Sequence, residues 1–328
     1  MMEIPAIHPE LELHNDLLKP NSCMSHMEDI ATWFSKRQNQ SVPTPIQATV
    51  VLFAADHGVA ASLPYRDKTI ALLRQNSAPD SAIRTLCKQA GAKLHIVDLG
   101  VIGNVVNMED IEHAKVSSTG SFDITSEAAM GQMEYWESVG IGEEMAHRAI
   151  ADGANLLIAS SIACHDNIAI AAIIAELTGL QPEMALMSTT DPDLYSRELI
   201  AVERAITRAR ATPSHDILRE LGSLEIAAMA GFYRAAAAKG VPILLDGRAS
   251  AAAALAAIAW DVRIAGWLLA SHVSNDAGHR EAIEQLGLEP MVELKSSIEQ
   301  GKMAVLLLPV IQSAITLQRG LSAIELTL

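Results

Sequence analysis

Short apolar segments alternate along the chain with longer helical patterns. The segments with the length and content of buried strands are residues 50–55, 94–97, 156–159, 242–245 and 264–269. Helical patterns separate them or follow them, at residues 78–90, 142–151, 167–177, 194–210, 225–238 and 249–259. Repeated strand–helix alternation with short connections indicates right-handed crossovers. The sequence therefore predicts an α/β fold built on a mostly parallel sheet.

The composition supports this fold class and restricts the partners. At 328 residues the chain can form one large domain with an appendage, or two modest domains. Half of the residues are hydrophobic and only 4% are aromatic, which suits helices packed closely on a parallel sheet rather than a β-sandwich. The formal charge of −15 argues against nucleic acid and anionic membranes as partners. A small anionic substrate stays compatible with a locally positive pocket.

Cysteine usage and the chain termini indicate a compartment. Cys23, Cys87 and Cys164 are widely spaced and form neither a CxxC pair nor a disulfide framework, which fits a reducing environment. Residues 1–18 lack the basic start and apolar run of a signal peptide. The most apolar windows are too short to span a bilayer. We expect a soluble cytoplasmic protein.

Polar groups follow four of the predicted strands. They are the motifs Asp56-His57-Gly58, Ser160-Ser161, Asp246-Gly247 and Ser271-His272-Val273-Ser274. The last belongs to residues 270–279, which crowd two hydroxyls, two imidazoles, a carboxylate and a glycine together. Because the carboxyl ends of parallel strands lie along one edge of a sheet, we expect these groups to share one crevice.

A fifth element, residues 298–302, precedes an apolar run. Glu299 offers a carboxylate for proton abstraction, Gly301 offers close backbone approach, and Lys302 offers an ammonium group for a phosphate. A surface turn before a strand or a helix is the alternative interpretation of this segment.

Metal and dinucleotide sites are not indicated. Cys164-His165-Asp166 holds three ligand types, but adjacent side chains point in different directions, so a helix start capped by Asp166 explains the motif better. His272 and His279 are seven residues apart, which is no recognised zinc spacing. The chain has no GxGxxG motif, Walker-type loop or GxSxG elbow. A generic dehydrogenase is therefore a distant alternative.

Several phrases, in their order along the chain, resemble the nicotinate-nucleotide–dimethylbenzimidazole phosphoribosyltransferase family. The matching segments are FAADHGV at residues 53–59, AGAKLHIVDLGV at 90–101, GSLEIAAMAG at 222–231, LLDG at 244–247 and ASHVSNDAGH at 270–279. The similarity runs from about residue 50 to residue 309.

The resemblance implies a doubly wound α/β domain with a small helical domain formed by the N- and C-terminal segments. Residues 1–45 and 310–328 would form the small domain, and residues 46–309 the large one. It also implies a dimer with the active site close to the subunit interface. The family moves phosphoribose from nicotinate mononucleotide to a lower-ligand base, giving an α-ribotide for the nucleotide loop of cobalamin. Neither a metal nor another cofactor is part of that chemistry.

The chain departs from the family at several site positions. A gap-free alignment places Gln300 at the position of the proposed general base, a glutamate, and Glu299 one residue earlier. The GEMGIGNTT loop of the family appears as residues 160–168 without its glutamate and its glycines, which are replaced at Ala163 and His165. A glycine-rich strand end appears as residues 187–190, and Glu198 stands in place of a lysine.

The strand ends and the resemblance together define the candidate site. Its members are Glu299 as catalytic base; Ser271, His272, Ser274, Gly301, Lys302 and Asp246 for phosphate and ribose; and Asp56, Leu63, Tyr65, Ser161 and Ile162 for the base pocket. Asp246 and Asp56 are alternative bases. The competing hypothesis is an inactive partner subunit that completes the site of a related chain, so the dimer is either a homodimer or a heterodimer with a paralogous subunit.

Overall fold

The structure, a computed structural model, describes residues 3–7, 25–64, 68–106, 108, 110–294, 296 and 298–325. Its strands are β1 (Ala48–Ala55), β2 (Lys93–Gly100), β3 (Glu112–His113), β4 (Leu156–Ile162), β5 (Ile243–Leu245), β6 (Leu268–Val273) and β7 (Pro290–Glu293). Its α-helices are α1 (Ser25–Gln38), α2 (Lys68–Ser77), α3 (Ala82–Ala90), α4 (Gln132–Ala151), α5 (Asp166–Thr178), α6 (Pro182–Ala185), α7 (Pro192–Ala209), α8 (Ile217–Leu221), α9 (Leu224–Ala238), α10 (Arg248–Trp260), α11 (Ala277–Gln285) and α12 (Lys302–Glu325).

In the described part of the chain, seven strands form one sheet in the order β3-β2-β1-β4-β5-β6-β7. Every neighbouring pair is parallel. The order reverses between β1 and β4, which makes the sheet doubly wound and opens a crevice at the carboxyl ends of these two strands. The predicted fold class is therefore confirmed.

Both faces of the sheet are covered, which explains its continuous apolar strands. All eight residues of β1 are buried, and alternate side chains enter different cores. Val51 and Phe53 contribute to a core with the Ala-rich helices α9 and α10, whereas Val50 and Leu52 pack with α1, α3 and α12. The sequence of a strand that is buried on both faces is a continuous apolar run and does not alternate between apolar and polar residues.

The described helices at the two chain ends meet on one face of the sheet. Phe34 of α1 and Ile311 and Ile315 of α12 belong to the same buried cluster. The division of the chain at residues 45/46 and 309/310 stays a prediction. Within the described residues, no helix combines the length and apolarity needed to cross a bilayer.

Three boundary predictions were wrong. Only residues 268 and 269 of the segment 264–269 belong to a strand, because Asp261 accepts a hydrogen bond from the Arg263 N–H (3.0 Å) and caps a 3-10 helix at Val262–Trp267. The strand β6 begins afterwards, so Ser271 and His272 lie inside it. Helix α4 begins ten residues before Gly142, since exposed Met133 and Trp136 obscure its apolar stripe.

One predicted cap was also wrong, and another helix begins later than its pattern. The pattern 78–90 forms α3 only from Ala82, because Ser81 caps this helix by accepting a hydrogen bond from the Arg84 N–H. At the start of α5, His165 occupies the N-cap position and Asp166 is the first helical residue. The carboxylate of Asp166 accepts instead from the Ser161 hydroxyl, 3.0 Å away.

Candidate active site at the carboxyl edge of the sheet

A buried imidazole–carboxylate pair lies beside the switch point. His57 follows β1, and its Nε2 lies 2.7 Å from Oε1 of Glu225 on α9. The Ser223 hydroxyl donates to the same oxygen at 2.5 Å. Burial lowers the pKa of His57, but the charge and hydrogen bond of Glu225 raise it more, so the pKa lies above the ordinary value. The pair fixes the loop after β1 against α9.

Asp166 extends this buried network toward β4. Its carboxylate accepts from Ser161, whose side chain comes from the end of β4. Burial raises the pKa of Asp166, and the neighbouring Glu225 carboxylate adds to the rise against the opposing charge of His57. The crevice therefore holds buried carboxyl groups, which would stabilise positive charge that develops on a bound substrate.

Asp246 anchors the segment that carries the predicted catalytic residue. Its Oδ2 accepts from the Gly301 N–H (2.7 Å) and the Ser160 hydroxyl (3.0 Å), and its Oδ1 accepts from the Ala304 N–H (3.0 Å). It thereby caps the N-terminus of α12, where the free N–H groups favour a carboxylate. Both oxygens of Asp246 are engaged by the protein itself, so its role in this state is structural.

Glu299 lies at the N-terminus of α10. A Cβ built on Gly247 would lie 3.3 Å from Glu299 Oε1, which places the Glu299 carboxylate against the first residues of α10. Burial and the nearby carboxylates of Asp166 and Asp246 raise the pKa of Glu299 to about 7. A carboxyl group with this pKa exchanges protons readily at neutral pH, as a general base must.

Gln300 and Lys302 hold each other on the opposite side of this segment. The Lys302 ammonium donates to Gln300 Oε1 at 2.6 Å, and the Asn76 amide donates to the same oxygen at 3.0 Å. Gln300 and Gly301 both have positive φ angles, 65° and 79°, which turn the chain sharply between Glu299 and α12. This turn directs Gln300 toward α2 and leaves Glu299 at the start of α10.

The serines and histidines of residues 271–279 bond mainly to one another. Ser271 Oγ lies 3.0 Å from His272 Nδ1, and the Ser274 hydroxyl lies 3.1 Å from His279 Nδ1. Since the Ser274 N–H donates to His279 Nδ1, this nitrogen is an acceptor. Burial lowers the pKa of His279 to about 3, so the ring is neutral. These side chains support the strand end in the described state.

The predicted base-pocket residues are divided between different places. Asp56 lines a cavity of about 290 Å³, together with His57, Gly58, Ala60, Ala61, Ile70, Ile102 and Thr119. Leu63 lines a separate cavity of about 210 Å³ that also contacts Arg197 and Arg204. Ile162 is fully buried in the core, and Tyr65 lies outside the described residues.

Sequence reasoning missed the walls Ile70, Ile102 and Thr119. Ile70 belongs to α2, Ile102 is the second residue after β2, and Thr119 lies in the irregular segment between β3 and α4. The Ile102 N–H donates to Asp56 Oδ2 at 2.7 Å. Burial raises the pKa of Asp56, although hydrogen bonds from Thr69 and Ile102 oppose the rise. Only the polar strand end at residues 98–100 hinted that β2 contributes to the crevice.

The sequence analysis also did not predict Arg248, at the start of α10, as a site residue. Its guanidinium is 3% exposed and forms an ion pair with Asp276 (Nε–Oδ1, 2.8 Å). It also donates to Asn167 Oδ1 at 2.5 Å and to the Ala185 carbonyl at 2.6 Å. Arg248 therefore joins α5, α10 and the loop before α11. Across the described residues, no cluster of three or more His, Cys, Asp or Glu side chains is arranged to hold a metal ion.

Buried acids at the switch point of a doubly wound parallel sheet place the candidate site where open α/β enzymes bind their ligands. The phosphoribosyltransferase family model matches residues 7–326, nearly the whole chain. The protein therefore belongs to this phosphoribosyltransferase family.

Named relatives specify the family further. The chain is 36% identical over 317 residues to the nicotinate-nucleotide–dimethylbenzimidazole phosphoribosyltransferase of Chromobacterium violaceum, covering 94% of this chain and 91% of the relative. It is 34% identical over 307 residues to that of Mycobacterium ulcerans, covering 91% and 85%. The crystal structure of the Thermus thermophilus protein of the same name superposes with a TM-score of 0.86 at 30% identity, over 92% of each chain. The resemblance drawn from the sequence motifs is confirmed.

Proposed function

We propose that this protein transfers phosphoribose from nicotinate mononucleotide to an aromatic lower-ligand base, such as dimethylbenzimidazole, and so forms an α-ribotide for cobamide assembly. A ring nitrogen of the base attacks C1′ of the ribosyl group. The bond from C1′ to the pyridinium nitrogen breaks, and nicotinate leaves with the electron pair. The proton on the second ring nitrogen of the incoming base passes to the protein.

The observation that carries this proposal is the position and pKa of Glu299. Its carboxyl group lies at the edge of the sheet where ligands of open α/β folds bind, and its pKa of about 7 suits proton acceptance from an azole. The adjacent Gln300 amide cannot accept a proton, and its oxygen is already bonded to Lys302 and Asn76. Glu299 is therefore the residue that we assign as the general base.

The remaining site residues support binding rather than proton transfer. We assign Lys302, Gly301 and the Ser271-His272-Val273-Ser274 segment to the side of the phosphate and ribose, and Asp56, with Ser161, to the side of the base. Lys302 is the cation of this group, and burial lowers its pKa. Asp166, which raises the pKa of Glu299, would stabilise the positive charge that develops on the ribosyl group, whereas Asp246 holds Gly301 in place for the ribose and phosphate.

The experiment is incubation of the purified chain with nicotinate mononucleotide and a panel of benzimidazoles, purines and phenols, with products identified by mass spectrometry. We expect an α-ribotide and free nicotinate in equal amounts. Glu299→Gln is expected to lower the rate by a factor of about 10² or more. The matched control is Glu284→Gln on the exposed face of α11, which is expected to keep the wild-type rate.

Two results would contradict the proposal. Full activity in Glu299→Gln would remove this residue from the mechanism. Absence of product and of nicotinate mononucleotide binding in the folded chain would favour the inactive partner subunit. Light scattering would show whether the chain is a homodimer, and co-purification with a paralogous chain would show a heterodimer. A cytoplasmic location is part of the same proposal.

A further inference from the structure

The buried positive charge of Arg248 lies at the N-terminus of a helix, which carries a partial positive charge of its own. It is the first residue of α10, and the free N–H groups at a helix N-terminus carry a partial positive charge. Burying a guanidinium there is unfavourable unless negative groups surround it. Asp276 supplies one such group, at 2.8 Å from Nε. The contacts with Asn167 and Ala185 hold the plane of the guanidinium in one orientation.

The Glu299 carboxylate lies at the same helix end. A Cβ built on Gly247, the residue before Arg248, would lie 3.3 Å from Glu299 Oε1. The side chain of Arg248 thus anchors the α10 N-terminus against which the Glu299 side chain packs. Displacement of Arg248 would move this helix end and so change the orientation of Glu299.

We propose that Arg248 is a positioning residue for Glu299: its buried guanidinium fixes the α10 N-terminus against which the Glu299 carboxylate lies, and its charge offsets that of the neighbouring Asp166 and Asp246. This inference rests on the proposed function, since it assigns Arg248 a purpose in proton transfer. The residue does not contact the reacting atoms in this assignment.

The charge balance around Glu299 shows what Arg248 contributes. The titratable groups that face Glu299 are Asp166 from α5, Asp246 from the end of β5, Arg248 from α10 and Lys302 from α12. The two aspartates raise the pKa of Glu299, and Arg248 lowers it. Without the guanidinium, Lys302 alone among these groups opposes the two carboxylates, so Glu299 would stay protonated to a higher pH and fail as a base at neutral pH.

The kinetic test uses the pH dependence of kcat/KM for the wild type, Arg248→Met and Asp276→Asn. We expect the acid limb to move upward by about one pH unit or more in Arg248→Met. In Asp276→Asn the guanidinium loses its ion-pair partner and keeps its charge, so the acid limb should move downward. Arg280→Met, an exposed arginine on α11, is the matched control. Acid limbs that coincide in all variants, or that move in the same direction in both, would overturn the proposal.

A substrate-free measurement separates this inference from the transferase proposal. The melting temperature is compared between Glu299 and Glu299→Gln chains from pH 4.5 to 9, in the wild-type and Arg248→Met backgrounds. In the wild-type background, we expect the difference in melting temperature caused by Glu299→Gln to change with pH up to about pH 7. In the Arg248→Met background, this difference should continue to change above pH 7. If the two curves coincide, the inference is wrong even if the enzyme is active. If they differ and no ribotide forms, the effect of Arg248 on the protonation of Glu299 is shown, and it is the transferase proposal that fails.

Discussion

His165 Nδ1 lies 3.1 Å from Glu198 Oε1, and the Nε2 of the same ring lies 2.6 Å from the Pro64 carbonyl oxygen. Both side chains are only 6% exposed. The Asn167 amide donates to the second Glu198 oxygen at 3.2 Å. The family resemblance places a loop glycine where His165 stands and a lysine where Glu198 stands. The two departures from the family, His165 and Glu198, are separate in the sequence but form one buried ion pair in the structure. This pair connects α5, α7 and the loop after β1.

The first prediction concerns this pair. Glu198→Lys should destabilise the fold by about 3 kcal/mol, because it puts an ammonium group beside the buried His165 ring. Adding His165→Gly removes the repulsion and relieves the left-handed backbone (φ 60°), so the double variant should recover most of the loss. Urea unfolding measures the free energy of unfolding of both variants. Glu203→Lys on the exposed side of α7 is the control. If the destabilisation in the double variant equals the sum of the two single effects, the pairing is contradicted.

The second prediction is a pH dependence of stability from His165. Hydrogen bonds with Cys164 and Glu198 raise the pKa of His165 to about 10. Since the folded pKa lies above the ordinary value of 6.5, the contribution to stability is complete below pH 6.5 and is lost as the pH rises to about 10. Melting temperatures of the wild type and His165→Asn should therefore converge between pH 7 and pH 10. A constant difference across this range would show that His165 is not charged in the fold.

The third prediction uses the His57–Glu225 pair. In Glu225→Gln the buried His57 loses the carboxylate that raises its pKa, so burial alone should lower it. Protonation then destabilises the variant as the pH falls, whereas it stabilises the wild type. The difference in melting temperature should be larger at pH 5.5 than at pH 8. Equal differences at both pH values would mean that His57 is neutral in the wild type as well.

The fourth prediction concerns Gly120 behind the cavity that Asp56 lines. Its φ is +75°, and a Cβ there would overlap the Asp56 carbonyl oxygen. Gly120→Ala should cost about 2–4 kcal/mol and displace the loop after β1, so ligand affinity should fall too. Gly140→Ala, on an open face of α4, is the control and should stabilise by up to about 1 kcal/mol. Denaturant unfolding compares the two, and similar effects at both glycines would contradict the assigned overlap.

Local patterns predicted much of the fold because their signals are short in range. The helical patterns at residues 78–90 and 167–177 stop close to Gly91 and Gly179, which end α3 and α5 in the left-handed conformation. Prediction failed where a polar cap competed with an apolar run: Asp261 turned the start of a predicted strand into a 3-10 helix. The apolar content of the run is the same for either structure, so only the hydrogen bonds of the folded chain distinguish them.

The candidate site shows the same division. Polar residues after strands predicted which edge of the sheet holds it, and the motifs predicted the family. The separation of Leu63 from the Asp56 cavity, and the appearance of Ile102 in that cavity, depend on how distant loops pack. Sequence spacing carries no information on such contacts, because they are set by the shapes of elements far apart in the chain.

By itself, the sequence determined the parallel α/β architecture, the family and the presence of Glu299 beside a glutamine, because periodicity and motif order are written along the chain. Only the tertiary structure decided that Glu299 lies at the N-terminus of α10, that Gln300 turns away to Lys302, and that His165 pairs with Glu198. The physical reason is that pKa values and ion pairs depend on burial and on neighbours in space. Residues 165 and 198 become neighbours only after α5 and α7 have packed together.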